Sequence, residues 1–173
     1  AKNKLPQIRA GNFAEIEVTN SPKVFLRRPF SVYDVDYDSN TISFFIKAIG
    51  EGTRLLGEKR KGENLNLIYP LGNGFTVPSS GKVLVVAGGS GVAPFILYAK
   101  EIKEAGAEVE FLFGAKAAED IVLTDVYSRF GKVMVTTEDG SLGEKGLVTQ
   151  HSIFSTPGLS YNFIVTCGPD PMM

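Results

Sequence analysis

Apolar and polar residues alternate near the start of the chain, which is the pattern of a β-strand with one buried face. Ala14, Ile16 and Val18 are apolar, and Glu15 and Glu17 stand between them. Successive side chains of a strand point to opposite faces of a sheet. This spacing therefore predicts a strand whose apolar side packs on a core.

Two longer runs of β-branched and aromatic residues follow, at 29–37 and 41–49. Asp38-Ser39-Asn40 between them is a turn sequence, and the pair is therefore predicted to form a hairpin. A further strand is predicted at 65–69, and a short helix is predicted to start with Thr53 as its N-cap. Several short antiparallel strands with one helix predict a small β-barrel in the first half of the chain.

The pattern changes after residues 78–81, a Pro-Ser-Ser-Gly sequence typical of a linker. Continuous apolar runs, typical of fully buried strands, then alternate with stretches of helical spacing. The predicted strands are 82–87, 108–113, 132–136 and 163–166, and the predicted helices are a segment from Ala93 that ends at Gly106, 121–130 and 148–154. This alternation predicts βαβ units and a parallel sheet, so the chain divides into a β-barrel at 1–79 and an α/β domain at 80–173.

The composition is that of a globular protein, and it narrows the function classes. The 173 residues carry a net charge of -1 and are 43% hydrophobic, which gives no electrostatic indication of nucleic acid or an acidic membrane. No apolar run is long enough to cross a bilayer. One cysteine and one histidine allow neither an internal disulfide nor a zinc site, which fits a reducing, cytoplasmic location.

The most informative stretch is a glycine-rich turn, Gly88-Gly89-Ser90-Gly91, between a predicted strand and a predicted helix. Glycines let the backbone approach a ligand closely, and the N–H groups and dipole at a helix start favour a phosphate. A tight turn without a ligand is the alternative. The usual dinucleotide fingerprint has a carboxylate at the end of the second strand, whereas residues 113–116 here contain none. A different dinucleotide-binding family is therefore expected.

Six short sequences occur in an order that resembles the ferredoxin–NADP reductase-like flavoproteins over nearly the whole chain. They are LRRPFS, GEGTRLL, PLGNGF, GGSGVAP, TTEDGSLGEKG and CGPDPMM. Within this family they look most like the electron-transfer subunits of type B dihydroorotate dehydrogenases. The resemblance implies an antiparallel FAD-binding β-barrel followed by a parallel-sheet NAD(P)-binding domain.

The resemblance also implies which residues of the first domain would bind FAD. Arg28 would pair with the pyrophosphate, Ser31 would approach the flavin ring, and the start of the helix at Gly52 and Thr53 would hold a flavin phosphate. The residues assigned to FAD in this way are Arg28, Pro29, Phe30, Ser31, Gly50, Gly52, Thr53, Gly72 and Asn73. The alternatives are a solvated surface side chain for Arg28, core packing for Phe30, a plain N-cap for Thr53 and a structural turn at 70–75.

By the same resemblance, the second domain would bind NAD(P)H as the reducing substrate. The residues assigned to it are Gly88, Gly89, Gly91, Val92, Ala93, Gly114, Asp139, Gly140, Cys167, Gly168 and Pro169. A solvated acidic loop at 137–141 and a small buried hydrophobe at Cys167 are the alternatives. Hydride transfer needs no acid–base residue, so no catalytic residue and no metal ligand is predicted. His151 is predicted to be a surface or core residue without a functional role.

The implied function is electron transfer from NADH through FAD and a [2Fe–2S] cluster to the FMN-containing catalytic subunit that oxidises dihydroorotate, in a heterotetramer. The small subunit of an NADH-dependent ferredoxin:NADP oxidoreductase or of sulfide dehydrogenase is one alternative. A nucleotide-binding module without redox activity is another. The cluster needs four cysteines. A fragment without a first barrel strand and a cysteine-rich segment, or a variant without a cluster, would each fit one cysteine. A fragment that holds FAD poorly is expected, because the missing parts lie at both ends and the interior motifs are intact. The choice between NADH and NADPH stays open.

Overall fold

A computed structural model describes residues 1, 3–158, 160–169 and 172 of the chain. These residues form two compact units, Ala1–Phe75 and Thr76–Met173. The strands are β1 (Phe13–Ile16), β2 (Arg28–Asp36), β3 (Thr41–Phe44), β4 (Leu67–Leu71), β5 (Lys82–Gly88), β6 (Glu108–Ala115), β7 (Val133–Thr137), β8 (Glu144–Lys145) and β9 (Phe163–Cys167). The α-helices are α1 (Glu51–Gly57), α2 (Phe95–Glu104) and α3 (Thr124–Tyr127). Part of the final sequence CGPDPMM, at Asp170, Pro171 and Met173, lies outside the described residues.

The described strands of the first unit form an antiparallel sheet in the order β3-β2-β1-β4. Ala14 and Ile16 are buried, as their alternation predicts. β2 and β3 pair as the predicted hairpin, and Asn40 closes the turn in the left-handed region with φ 54°. The antiparallel β architecture expected for the first half of the chain is confirmed.

The N-cap of helix α1 lies three residues earlier than the sequence predicts. Gly50 is its N-cap, and Thr53 is the third helical residue. The Thr53 hydroxyl accepts the N–H of Gly50 at 2.9 Å and the N–H of Ile49 at 3.0 Å, so it still satisfies donors at the helix start. The assignment of Thr53 as the N-cap is therefore wrong, because its side chain reaches back from the first turn.

The second unit is built on a sheet whose strands, in the described part of the chain, run in the order β8-β7-β6-β5-β9. Every recorded pairing in this sheet is parallel, which confirms the predicted α/β architecture. The central strand β5 is buried from Val83 to Gly88, and α2 buries Phe95, Ile96, Tyr98 and Ile102. A continuous apolar strand between two neighbours explains this burial.

Two of the predicted helices are much shorter in the structure. Within 121–130 only Thr124–Tyr127 is α-helical, because Leu123 has φ 62° and interrupts the helix before Thr124. Within 148–154 there are two 3-10 helices, Val148–Gln150 and Ser152–Ser155, and His151 between them has an extended ψ of 138°. None of the helices in the described part of the chain has the length and apolar character to cross a membrane.

Candidate functional site

The glycine turn and the Cys-Gly-Pro turn leave neighbouring strands at the same edge of the parallel sheet. β5 pairs with β9, and Ala87 lies opposite Cys167 at their carboxyl ends. The strand order reverses between these two strands, because β6 lies on one side of β5 and the last strand on the other. Ligands of open α/β sheets bind in the crevice at such a point. The fold thus brings Gly88-Gly89-Ser90-Gly91 and Cys167-Gly168-Pro169 together.

Gly91 is required by packing between these two turns. A Cβ atom at Gly91 would overlap the carbonyl group of Cys167 and would lie 2.8 Å from Cα of Gly168. These are backbone atoms that cannot rotate away. Gly88 and Gly114 are similarly close neighbours on β5 and β6, since a Cβ at Gly88 would lie 3.0 Å from the Gly114 carbonyl oxygen.

Gly89 differs from Gly91, because nothing in the described chain occupies the space where its side chain would stand. Its φ is +56°, and no protein atom lies within 4 Å of a Cβ built on it. Gly89 and Ser90 open the 3-10 helix Gly89–Val92, and the first N–H groups of a helix lack acceptors within it. The Ala93 N–H, in contrast, already donates to the Ser90 carbonyl at 3.1 Å. The Ala93 N–H is thus already engaged within the turn, and its assignment to NAD(P)H stays a prediction.

A shallow pocket lies at these strand ends, and its empty volume of about 160 Å³ includes open solvent. Its lining residues are Ala87, Gly88, Gly89, Val92, Phe113, Gly114, Asp120, Ile121 and Val122. Gly88, Gly89, Val92 and Gly114 are among the residues that the sequence assigns to NAD(P)H, whereas Ala87 and Phe113 are not. Residues 120–122 complete the lining and were not predicted. Ile121 and Val122 were predicted to be the start of a helix instead.

The acidic loop after β7 presents a fixed carboxylate at the same edge of the sheet. Asp139 Oδ1 accepts the Ser141 hydroxyl at 2.6 Å and the Ser141 N–H at 2.9 Å. These hydrogen bonds lower the pKa of Asp139 below its ordinary value, so it is an anion at neutral pH. The Asp139 N–H donates to the Lys116 carbonyl at 3.2 Å, which brings the loop beside the end of β6. Gly140 follows with φ +79°, which favours glycine in this turn.

Cys167 lies at the end of β9 and is half-buried. Burial raises the pKa of its thiol above the ordinary value. The thiol is therefore protonated at neutral pH and is a poor nucleophile. This favours a role for the backbone turn over a role for the sulfur atom.

In the first unit, the structure places Arg28 beside the first turn of α1. A Cβ atom on the buried Gly52 would lie 3.6 Å from Cγ of Arg28 and 3.2 Å from Cγ1 of Val24. The stem of Arg28 therefore packs on the helix start, and its guanidinium has no acceptor among the described residues. A free cation next to a helix N-terminus is an arrangement that suits a phosphate.

The other residues of β2 divide between the two faces of the sheet. Phe30 packs against the buried cluster of Ile16, Val18 and Leu56, which favours the core alternative for this side chain. Ser31 is the next residue along the strand and therefore points to the opposite face. Pro29 is exposed opposite Glu15.

The loop after β4 is held by a buried asparagine that sequence reasoning missed. Asn12 donates from Nδ2 to the carbonyls of Leu71 and Gly72, at 3.2 and 3.0 Å, and is only 7% exposed. Gly72 has φ +74°, and a Cβ there would lie 2.8 Å from the Phe13 ring. Gly72 is thus required by the turn itself, and Asn73 beside it is exposed.

A second missed contact involves the single histidine. His151 is buried, and its Nδ1 accepts the Ile153 N–H at 3.0 Å. Its Nε2 lies 3.3 Å from Glu144 Oε1. Glu144 also accepts the N–H of Ser152 at 2.8 Å, and the hydrogen bonds from Ser152 lower the pKa of this carboxyl. These contacts tie β8 to the 3-10 helix that follows, so His151 has a structural role.

No group of three or more histidine, cysteine, aspartate or glutamate side chains in the described ranges could hold a metal ion. The structure brings predicted positions together at two places, the start of α1 and the carboxyl ends of β5, β6 and β9. Neither contains an obvious acid–base pair, and both are rich in glycine and backbone donors.

The second unit matches a known protein family. The model of the oxidoreductase NAD-binding domain matches residues 85–173, just over half of the chain. The chain therefore belongs to the oxidoreductase NAD-binding domain family, with a fold like that of ferredoxin–NADP reductase.

Curated relatives match both units. The chain is 37% identical over 166 residues to the electron transfer subunit of dihydroorotate dehydrogenase B (NAD(+)) from Bacillus velezensis, a match that covers 94% of this chain and 64% of that protein. The subunit of the same name from Fusobacterium nucleatum is 32% identical over 168 residues, with 94% and 65% covered. The chain thus spans somewhat less than two thirds of the length of these relatives.

Solved structures share the fold over almost the whole chain. The NADH-dependent reduced ferredoxin-NADP oxidoreductase, solved for insight into flavin-based electron bifurcation, superposes with a TM-score of 0.84 at 28% identity and covers 96% of this chain and 59% of its own. The ferredoxin reductase of carbazole 1,9a-dioxygenase has a TM-score of 0.73 at 24% identity, with 96% and 54% covered, and shows the fold alone.

Proposed function

We propose that this chain is the flavin- and nicotinamide-binding part of an electron-transfer subunit that supplies a dihydroorotate dehydrogenase of pyrimidine biosynthesis. The observation that carries the proposal is the 37% identity to a subunit of that name across 94% of the chain. The proposal extends from the matched part to a complete protein, because the chain spans 64% of that relative.

FAD is the cofactor that the first unit fits. The unpaired guanidinium of Arg28 and the start of α1 at Gly52 lie side by side and offer two positive groups to a pyrophosphate. The bound flavin would supply the step from a two-electron hydride donor to single-electron transfer. The chain's own part is to position the pyrophosphate and to keep the ring against the strand that carries Ser31.

The second unit fits NADH. The open space at Gly89 and the N–H groups of Gly89 and Ser90 support a site for the pyrophosphate, with Cys167-Gly168-Pro169 on the nicotinamide side. We assign NADH over NADPH for two reasons. The ionised Asp139 would repel a 2′-phosphate at the ribose edge, and the names of the curated relatives specify NAD(+).

The further electron path would run through a [2Fe–2S] cluster to the FMN-containing catalytic subunit, in a heterotetramer. A cluster of this kind takes four thiolate ligands. The sequence has one cysteine and does not fit the cluster, so the ligands would belong to other residues of a complete protein.

A second candidate is the small subunit of an NADH-dependent ferredoxin:NADP oxidoreductase, favoured by the TM-score of 0.84 and 28% identity to that structure. One experiment addresses both. The chain is loaded with FAD, and the flavin absorbance is followed anaerobically after NADH is added. Bleaching is expected, and unchanged absorbance would contradict the shared redox function. Co-purification with a dihydroorotate dehydrogenase catalytic subunit, and not with the large subunit of the other enzyme, would then decide between the two.

A further inference from the structure

A buried tyrosine outside the predicted site residues bonds directly to the glycine turn. The Tyr127 hydroxyl in α3 donates to the carbonyl oxygen of Val92 at 2.5 Å. The tyrosine is 0% exposed, and its ring meets Phe111 and Phe113 edge to face at centroid distances of 5.0 and 4.9 Å. This packing fixes the ring, so the direction in which the hydroxyl donates is fixed as well.

One of the two groups that this bond joins lines the pocket, and the other lies in the helix that follows a second lining segment. Val92 ends the 3-10 helix that follows Gly88 and is part of the pocket lining. Residues 120–122 also line the pocket, and only Leu123 separates them from α3. Leu123 is in the left-handed region with φ 62°, which is strained for a leucine and leaves this connection little freedom. A shift of α3 would therefore move residues 120–122.

We propose that Tyr127 is a positioning residue for the dinucleotide. Its hydroxyl holds the 3-10 helix of the glycine turn at a set distance from residues 120–122 and so orients the N–H groups of Gly89 and Ser90. Without the Tyr127 hydroxyl, the buried carbonyl oxygen of Val92 would lack its hydrogen-bond donor. The short 3-10 helix would then shift to give this oxygen another donor. The inference rests on the proposed function, because it takes NADH to be the ligand.

The test compares two conservative variants that each lose a hydrogen bond from a tyrosine hydroxyl to a carbonyl, which is buried at Tyr127 and part-buried at Tyr98. Tyr127→Phe keeps the aromatic packing and removes the hydroxyl. Tyr98→Phe is the matched control, since Tyr98 is 1% exposed and its hydroxyl donates to the Thr76 carbonyl at 2.7 Å, away from the turn. Calorimetric titration with NADH is expected to give a Kd about fivefold to tenfold higher for Tyr127→Phe and within about twofold of the parent for Tyr98→Phe.

A second measurement reports on the turn itself. The amide NMR signals of Gly89 and Ser90 should move in Tyr127→Phe and stay in place in Tyr98→Phe, with no ligand present. Equal Kd values for the parent and Tyr127→Phe, or equal losses in both variants, would overturn the positioning role and leave the NADH site standing. A parent chain that binds no NADH would instead overturn the proposed function on which the inference rests.

Discussion

Two neighbouring arginines in the first unit differ in what their guanidinium groups contact. Arg27 donates to the carbonyl and the side-chain oxygen of Asn66, both at 3.0 Å, and lies 3.9 Å from Glu17. Arg28 is exposed, and its stem packs against Gly52. The first arginine is thus used by the fold, whereas the second is available to an anionic ligand.

Arg28→Ala is therefore expected to weaken FAD binding by about one to two decades. A charged hydrogen bond to a diphosphate contributes roughly 1.5–3 kcal/mol, which is the size of that loss. The affinity is measured by titrating the chain with FAD and following flavin fluorescence. Arg27→Ala is the control and should bind FAD like the parent. Equal affinity of Arg28→Ala and the parent would contradict the assignment.

Gly89→Val is expected to abolish NADH binding while the fold and FAD binding remain. A valine side chain would meet no protein atom there and would fill the space proposed for the pyrophosphate. Its positive φ adds strain of about 1–3 kcal/mol. Gly158→Val controls for that strain, since Gly158 has φ +74° and equally open surroundings. Anaerobic bleaching of bound flavin by NADH is the measurement. Bleaching at the parent rate in Gly89→Val would show that this glycine serves only the turn.

At the scale of the elements, the carboxylate of Glu110 links three segments by hydrogen bonds near the amino ends of the parallel strands. Glu110 on β6 accepts Nζ of Lys82 on β5 at 2.7 Å and the hydroxyl of Tyr161, just before β9, at 2.6 Å. Burial alone would raise the pKa of Glu110. The hydrogen bonds from Lys82 and Tyr161, with the charges of Lys82 and Lys132, outweigh burial and lower the pKa.

Glu110→Gln is expected to lower the free energy of unfolding by about 1–2 kcal/mol at pH 7. A carboxyl with a lowered folded-state pKa stabilises the fold above its unfolded value of 4.5, and this contribution is lost as the pH falls through the folded-state pKa. The difference between variant and parent should therefore shrink in acid. Urea unfolding at pH 7 and below pH 4.5 measures it. Glu108→Gln on the same strand is the control, and a difference that grows in acid would contradict the argument.

Local patterns sufficed for most of the strands. The two-residue β8 was not predicted, and β3 ends at Phe44 within the run predicted at 41–49. Alternation at 14–18 and the apolar run at 82–87 specify strands through burial alone, and both are strands in the structure over most of their length. The helices predicted at 121–130 and 148–154 are interrupted by the backbone and side-chain conformations of two single residues. Leu123 takes a left-handed φ, and His151 turns its imidazole to accept the Ile153 N–H. Helical spacing does not encode either choice.

The candidate site also has some features that local sequence predicts and others that depend on the fold. The glycine turn could be found from the sequence because its residue types are demanded by local backbone geometry. That Gly91 serves packing on Cys167 while Gly89 stands open depends on the register of β5 with β9. Asn12 and Tyr127 were missed because their partners, Gly72 and Val92, lie 60 and 35 residues away. A polar side chain gives no local sign of a partner at that separation.

At the scale of the whole molecule, each unit has its own core and its own candidate site. The first unit presents a free guanidinium at a helix start, and the second presents a glycine turn at the reversal of strand order. Both features suit pyrophosphates, which FAD and NADH share. This pairing supports a chain that binds two dinucleotides and uses them for redox chemistry. A nucleotide-binding module without redox activity would need only the site at the glycine turn of the second unit.

The single cysteine limits how far electrons can travel in this chain. A [2Fe–2S] cluster takes four thiolate ligands, and the half-buried, protonated Cys167 cannot replace them. The purified 173-residue chain is therefore expected to contain no iron, and with FAD and NADH supplied its electrons should stop at the flavin.

Iron analysis and absorbance spectra measure the iron content of the chain. Orotate-linked turnover with a dihydroorotate dehydrogenase catalytic subunit measures whether electrons pass beyond the flavin. A longer form that adds four cysteines should gain iron and turnover together. Stoichiometric iron on the short chain would show that the ligand count is wrong.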